Sequence, residues 1–328
     1  MTMNLPTAVS VVADIGGTNT RVALSDGASL LPETIRRFRN SEYPGIEPIL
    51  REYLSEAGTR ACVGACVAAA GPVRHGVAEM TNLDWIMTEA SIAEATGAGQ
   101  VALLNDLQAQ GHALGHLQPG SLFPVITRPD AGPMASKLVI GVGTGFNAAP
   151  VHEMARGRLV APSECGHVSL PVRSDADLRL WRHIEGLEEA HGFASVEDVL
   201  SGRGLERVHA WVASESGKPG ERSAAEIMAG IDAGTDEQSM ETGRVFVGML
   251  GMVAGNLALI HLPLGGVFLI GGVARAFAPH LSRFGFAEAF CDKGRFSDFM
   301  ADFPVSVVED DYAALRGCAV HLAHLMRG

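Results

Sequence analysis

Positive charge is scarce in this chain: 25 Lys and Arg stand against 37 Asp and Glu, a formal net charge of −12. There is no basic run, so neither nucleic acid nor an anionic membrane surface is an expected partner. An acidic chain still binds a nucleotide where local dipoles and a metal ion offset the phosphates. Cysteine is equally sparse. Cys62, Cys66, Cys165, Cys291 and Cys318 are odd in number, scattered, and form no C-x-x-C pair. That excludes a disulfide framework and predicts free thiols in a cytoplasmic protein. Met1 to Thr7 is too short and uncharged to serve as a signal peptide. An unbroken apolar run is missing too. The longest apolar stretch, Met249 to Val273, is interrupted by Asn256, His261, Pro263 and several glycines. It reads as a buried helix followed by a strand, not as a membrane span. No segment is of low complexity.

What is abundant is small and apolar. Hydrophobic residues make up 47%, much of it Ala and Val, and there are 39 glycines against only 19% charged residues. This mix suits an α/β protein with close-packed helices and many glycine turns. A length of 328 residues fits two domains or one large one.

The most informative stretch is Val9 to Leu24, which reads as strand, glycine turn, strand. Its centre, Gly16-Gly17-Thr18-Asn19, offers successive backbone N–H groups with little side-chain bulk, a form that binds anions. A plain hairpin with Gly-Gly at its tip reads the same way. No Lys-Ser/Thr follows the glycines, so this is not a Walker A loop, and no G-x-G-x-x-G opens a helix. Asp14 lies just before the turn. A carboxylate there repels phosphate unless a metal intervenes, and a magnesium–nucleotide complex brings one.

Further along, Arg36 to Tyr43 reads as charged and irregular. Pro44 to Ala57 has helical spacing, with Ile46, Ile49, Leu50, Tyr53 and Leu54 on one side. Ala61 to Ala70 reads as a buried strand, Thr81 to Trp85 as a polar turn, and Thr88 as the start of a short helix. Val101 to Leu104 is a strand that runs into Asn105-Asp106, before a helix with Leu107, Leu114 and Leu117 on one face. Asp106 is either the N-cap of that helix or a carboxylate held at the edge of a sheet, where α/β proteins bind ligands. In the second case the helix dipole helps to keep it ionised.

Leu138 to Ile140 and Ala148 to Val151 flank a second glycine turn, Gly141 to Asn147. Two such hairpins suggest duplicated halves, each with a phosphate-binding turn. Ser163 to Leu170 sets Glu164 and His167 three apart around Gly166. It is either a surface loop or a cluster that holds hydroxyls, and it is short of ligands for a metal. Helices are expected over Arg179–Glu189, Gly204–Ser214, Ala224–Ala233, Thr235–Leu262 and Ala313–Met326. Ser195 with Asp198 resembles a capping box that places Glu197 in a first helical turn. The strand Leu264–Val273 is flanked by glycine pairs, and Pro304–Val308 is the last strand.

Three glycine turns after strands, plus Asp106 at another strand end, outline the two-domain actin-like ATPase and sugar-kinase fold. The chain also resembles the bacterial glucokinases of the ATP-dependent hexose kinase group. The motifs are ADIGGTNTRVAL, GPV with MTNLDW, LLNDLQA, GVGTGFNAA, ECGHVSLP, VEDVLSGRGL, GGVFLIGGVA and FCDKGRFSDFM, in the family's order and over nearly the whole length. The resemblance implies transfer of the ATP γ-phosphoryl group to the 6-hydroxyl of D-glucose, with Asp106 as general base. It implies that Asn105, Glu164, His167 and Glu197 bind the sugar with Asp106. Gly16, Gly17, Thr18 and Asn19, with Gly143, Thr144 and Gly145, would hold ATP phosphates. Gly271 and Gly272 would flank the adenosine, and Asp14 would face Mg2+ through water. It implies a homodimer and an α/β fold with an interdomain cleft. The small domain would span 1–112, completed by the helix 312–328, and the large domain 113–311.

The sequence departs from the family's pattern at two places. Asn147 stands where many relatives have glycine, and Cys165 replaces a small residue. The zinc-binding cysteine cluster of the related repressor/kinase family is missing, and so is a DNA-binding extension before the first strand near Ala8. A transcriptional sugar sensor is therefore not expected. A kinase for mannose, fructose or an amino sugar remains an alternative, as does a non-catalytic sugar- or nucleotide-binding regulator.

Overall fold

The computed structural model describes residues 8–59, 62–80, 83–129, 131–155, 157–218 and 220–327. Met1 to Thr7, and Thr81 and Asn82 of the polar turn, lie outside the described residues. The chain forms two compact units, one of 1–119, 155–162 and 310–328, the other of 120–154 and 163–309.

The first unit opens with an antiparallel hairpin of β1 (Ser10–Ile15) and β2 (Asn19–Asp26). The short β3 (Ser29–Leu30) and β4 (Arg36–Arg39) both pair with β2. The first half of the stretch read as irregular is thus a strand, and a 3-10 turn, Asn40–Glu42, follows it. The strand lacks a visible alternation because Phe38 is its only buried residue and three arginines face solvent. Helix α1 (Ile46–Glu56) buries the five expected apolar residues. After it come β5 (Gly64–Ala69), the small sheet β6 (Val73–Arg74), β7 (Val77–Glu79) and β8 (Ile86–Thr88), then α2 (Glu89–Thr96) with its Thr88 cap. β9 (Gln100–Asn105) leads directly into α3 (Asp106–Ala113).

β1, β5 and β9 are parallel neighbours, with Ile15 opposite Ala69 and Ala69 opposite Asn105. Their carboxyl ends therefore lie along one edge of the sheet. Both faces of these strands are buried, as parallel strands require. Val11, Ala13, Ile15, Ala65, Val67 and Ala69 face the core that includes Ile49, Tyr53 and Ile92 of α1 and α2. Val12, Cys66 and Ala68 face the core shared with Leu315, Cys318 and Leu322 of the C-terminal helix, Ala313–Leu325. That helix packs hard on α3, where a Cβ at Gly317 would come within 1.7 Å of the Ala109 carbonyl. The helix begun at Asp106 ends at Ala113, so Leu114 is only its cap and Leu117 lies beyond it.

The second unit repeats the plan. β10 (Leu122–Ile126) is an edge strand, and β11 (Lys137–Val142) with β12 (Phe146–Met154) forms the second antiparallel hairpin. The next strand, β13 (Gly157–Val160), belongs to the first unit. α4 (Asp175–Glu185) starts earlier than its spacing predicts, because Ser174 and Asp177 form a reciprocal cap. α5 (Gly202–Glu215), α6 (Ala224–Ala233) and α7 (Glu237–His261) follow. β14 (Val267–Ile270), the short helices α8 (Gly272–Phe277), α9 (Phe286–Cys291) and α10 (Ser297–Met300), and β15 (Val305–Val308) complete the unit. β11, β14 and β15 are parallel, as β1, β5 and β9 are.

Among the described residues α7 is the one helix long and apolar enough, by length and composition, to cross a membrane. Phe246, Leu250, Ala254 and Ala258 on it are buried in the core of the second unit. It ends at Leu262, whose N–H still donates to the Ala258 carbonyl and whose left-handed backbone (φ 47°) turns the chain out of the helix.

Candidate active site

In the first unit, Asp14, the Gly16–Asn19 turn, Asn105 and Asp106 all sit at the carboxyl ends of β1 and β9. The turn closes through the Gly16 N–H and the Asn19 carbonyl at 3.0 Å. Asn40, buried and unremarked in the sequence, holds this turn from one side. Its Nδ2 donates to the Gly16 carbonyl at 2.8 Å, and its N–H donates to the Thr18 carbonyl at 3.0 Å. Its Oδ1 accepts the Thr20 hydroxyl at 2.8 Å. Because a trans peptide is planar, the Gly16 carbonyl facing Asn40 turns the Gly17 N–H the opposite way. Gly17 and Thr18 are exposed. The exposed side of the turn thus carries the Gly17 N–H, a donor available to an anion.

Asp14 lies 3.8 Å from the Arg21 guanidinium, its side chain 20% exposed. Burial raises its pKa, and the Arg21 charge opposes the rise. Arg21 is itself held by the Asp311 carbonyl at 3.0 Å. At the end of β9 the N-cap is Asn105, not Asp106. Asn105 Oδ1 accepts the Gln108 N–H at 3.0 Å, and Gln108 Oε1 accepts the Asn105 N–H at 3.2 Å. Asp106 is the first helical residue, and its Oδ1 accepts the Leu107 N–H at 2.9 Å. The cap explanation for this carboxylate is thereby removed, since its neighbour does that work.

In the second unit three loops interlock. The Gly143–Gly145 turn closes through the Gly143 N–H and the Gly145 carbonyl at 2.9 Å. Glu197 Oε2 accepts the Phe146 N–H at 2.9 Å, and the Glu197 N–H donates to the Gly166 carbonyl at 2.8 Å. A Cβ on Gly166 would lie 2.0 Å from the Phe146 carbonyl, and one on Gly145 would lie 2.5 Å from Glu197 Oε2. The second glycine turn, the Glu164–His167 loop and Glu197 are therefore in direct contact.

Glu197 is not in a helix. Ser195 and Asp198 form reciprocal bonds, but at a turn; the next helix is α5, capped by the Ser201 hydroxyl on the Gly204 N–H. Arg207 Nη1 donates to Asp198 Oδ1 at 2.5 Å and fixes that turn from α5. Burial pushes Asp198 upward, but bonds from Ser195 and Arg207 hold its pKa below the usual value. Glu164, which precedes the 3-10 turn Cys165–His167, and His167 at its end are exposed, and Thr144 is exposed at the glycine turn. Gly271 requires glycine: its φ is +102°, and a Cβ would lie 2.4 Å from the Val142 carbonyl. It brings Gly272, at the start of α8, beside Gly143, where a Cβ would lie 4.0 Å from the Gly272 nitrogen.

A family model described as glucokinase matches residues 11–325. The chain belongs to the glucokinase family. A glucokinase of Saccharophagus degradans is 33% identical over 319 residues, covering 96% of this chain and 98% of that one. The solved structure of a glucokinase from an Antarctic psychrotroph is 31% identical, with a TM-score of 0.85, covering 97% of this chain and 99% of that one. A ROK-family glucokinase from Streptomyces griseus, solved with glucose and AMPPNP, shares the fold at 18% identity, with a TM-score of 0.64 and cover of 98% and 100%. The mixed α/β architecture is that of the actin-like ATPase fold.

Among the described residues no group of three or more His, Cys, Asp or Glu side chains could hold a metal ion alone. The five cysteines are free. Asn40 has no signature in the sequence: it starts the 3-10 turn after β4. The polar run Arg39-Asn40-Ser41 gives no sign that its asparagine is buried against a turn two strands away.

Proposed function

We propose that this chain transfers the γ-phosphoryl group of ATP to the 6-hydroxyl of D-glucose, giving glucose 6-phosphate and ADP. Membership of the family and the relatives' names support the hexose kinase. The observation that carries the assignment of residues is Glu197, which bonds both the second glycine turn and the Glu164–His167 loop. One residue, through its carboxylate on one side and its backbone N–H on the other, thus couples a turn suited to phosphate to a polar loop suited to hydroxyls.

In this reading Asp106 accepts the proton of the 6-hydroxyl as its oxygen attacks the γ-phosphorus and the bond to the β-phosphate oxygen breaks. Such a base contributes ~10²–10⁴-fold. The rest is positioning and charge neutralisation. Asn105, Glu164, His167 and Glu197 orient the sugar, because hydroxyls need directional donors and acceptors. The backbone of Gly16 to Asn19 and of Gly143 to Gly145 holds phosphates, and Gly271-Gly272 leaves bare backbone for the adenosine. Asp14 suits Mg2+ through water, being an oxygen ligand whose own ion pair is loose at 3.8 Å. Magnesium, bound with the nucleotide, neutralises phosphate charge.

The two units serve as the small and large domains, the enzyme works in the cytoplasm, and it assembles as a homodimer. The family resemblance supports that state, and sedentation by analytical ultracentrifugation tests it. ADP release across glucose, mannose, fructose and amino sugars tests the substrate. Glucose is expected to give the highest kcat/KM; preference for another hexose overturns the assignment.

A further inference from the structure

Asn147 lies on β12, just past the second glycine turn, and its amide spans the backbone on both sides of Glu164. Its Oδ1 accepts the Ala148 N–H at 2.8 Å and the Cys165 N–H at 3.1 Å, with the Ser163 hydroxyl at 3.0 Å. Its Nδ2 donates to the Ser163 carbonyl, and to Glu164 Oε2 at 3.2 Å. These partners fix which way the amide faces. One end meets backbone N–H donors that need an acceptor, and the other meets a carbonyl and a carboxylate that need a donor. Aspartate at this position would set negative charge against Glu164, and an apolar residue would leave the loop untied.

Glu164 needs such a tie. It is exposed, and its backbone (φ −127°, ψ 43°) lies outside the helix and strand wells. An untethered glutamate loses rotamer freedom when a ligand fixes it. We propose that Asn147 is a positioning residue for hexose recognition: it pre-orders Glu164 by pinning residues 163 and 165 and holding one carboxylate oxygen, so that the other meets a sugar hydroxyl. This rests on the reading of Glu164 as a hexose ligand. Asn147 touches neither the phosphates nor the reacting oxygen in this role. Its contribution falls on ground-state and transition-state binding alike, which is read in KM and not in kcat.

The test is a double-mutant cycle on the full-length enzyme: wild type, Asn147→Ala, Glu164→Ala and the double variant, with glucose KM, ATP KM, kcat and Tm measured for each. Asn147→Ala is expected to raise glucose KM about tenfold, the size of one lost hydrogen bond to a charged group, with kcat and ATP KM within about twofold. In the Glu164→Ala background it is expected to add less than about twofold, because its effect passes through that carboxylate. Should Asn147→Ala fail to fold, the isosteric Asn147→Asp is used, with a larger rise in glucose KM expected from the like charges. If Glu164→Ala raises glucose KM but Asn147→Ala does not, or if the two effects simply multiply, the positioning role is wrong. If Glu164→Ala leaves glucose KM unchanged, the hexose-ligand reading itself fails, a pattern distinct from the other two.

Discussion

At the scale of single residues, two asparagines do work that their neighbours in sequence do not advertise. Asn40 satisfies the Gly16 carbonyl and the Thr20 hydroxyl from a buried position. Truncating it strands both groups, at a cost of about 1–3 kcal/mol each where water does not reach them. Asn40→Ala is therefore expected to lower Tm and to raise ATP KM about tenfold, with glucose KM within about twofold; steady-state kinetics with each substrate varied in turn checks this. Equal effects on both KM values would mean that Asn40 supports the fold and not the proposed phosphate-binding role of the Gly16–Asn19 turn. The glycine turns were legible in the sequence because bare backbone has a direct signature. The partners of those turns were not, because a side chain that reaches across strands leaves no local pattern. Asn105 and Asp106 show the same limit. Adjacent residues share one strand end, and only the hydrogen bonds reveal that Asn105 is the cap.

At the scale of elements, the parallel strands and the helices with a clear apolar face were legible. α1 buries Ile46, Ile49, Leu50, Tyr53 and Leu54, the residues its spacing marks. Charged or short elements were hidden: β4 carries three exposed arginines, and the edge strand β10 exposes Leu122 and Phe123. The Ser195–Asp198 pair has the sequence signature of a helix start, yet its reciprocal bonding closes a turn. The packing of the C-terminal helix on α3 gives the clearest prediction at this scale. Gly317→Ala places a methyl group 1.7 Å from the Ala109 carbonyl. The helices must separate, a change that costs at least ~1–3 kcal/mol and shifts the helix that begins at Asp106. Thermal unfolding should show a clear fall in Tm, and turnover should fall with it. An unchanged Tm would mean that the helices accommodate the methyl freely.

For the whole molecule, buried and half-buried histidines make stability depend on pH. Burial, reinforced by the His324 charge, pushes His321 down to about 4, and its ring lies 4.3 Å from that of His112. Burial likewise lowers His183, His209 and His261. A histidine near 6.5 in the unfolded chain takes up its proton there before it does in the folded state. Between pH 6.5 and 4 the unfolded chain thus binds more protons, so stability is complete above 6.5 and declines as pH falls. His321 supplies at most ~1.4 kcal/mol per pH unit of that slope. Tm should drop between pH 7.5 and 5, and drop less in His321→Gln; the same drop in both would assign the effect to other groups. The proposed chemistry is also tested on the whole molecule. The most direct measurement is ADP release from Mg–ATP, with and without glucose, for wild type and Asp106→Asn. Turnover that depends on glucose and falls by about 10²-fold or more in the variant is expected of a kinase with Asp106 as base. Wild-type turnover in Asp106→Asn would contradict that role, and turnover indifferent to glucose would contradict the kinase.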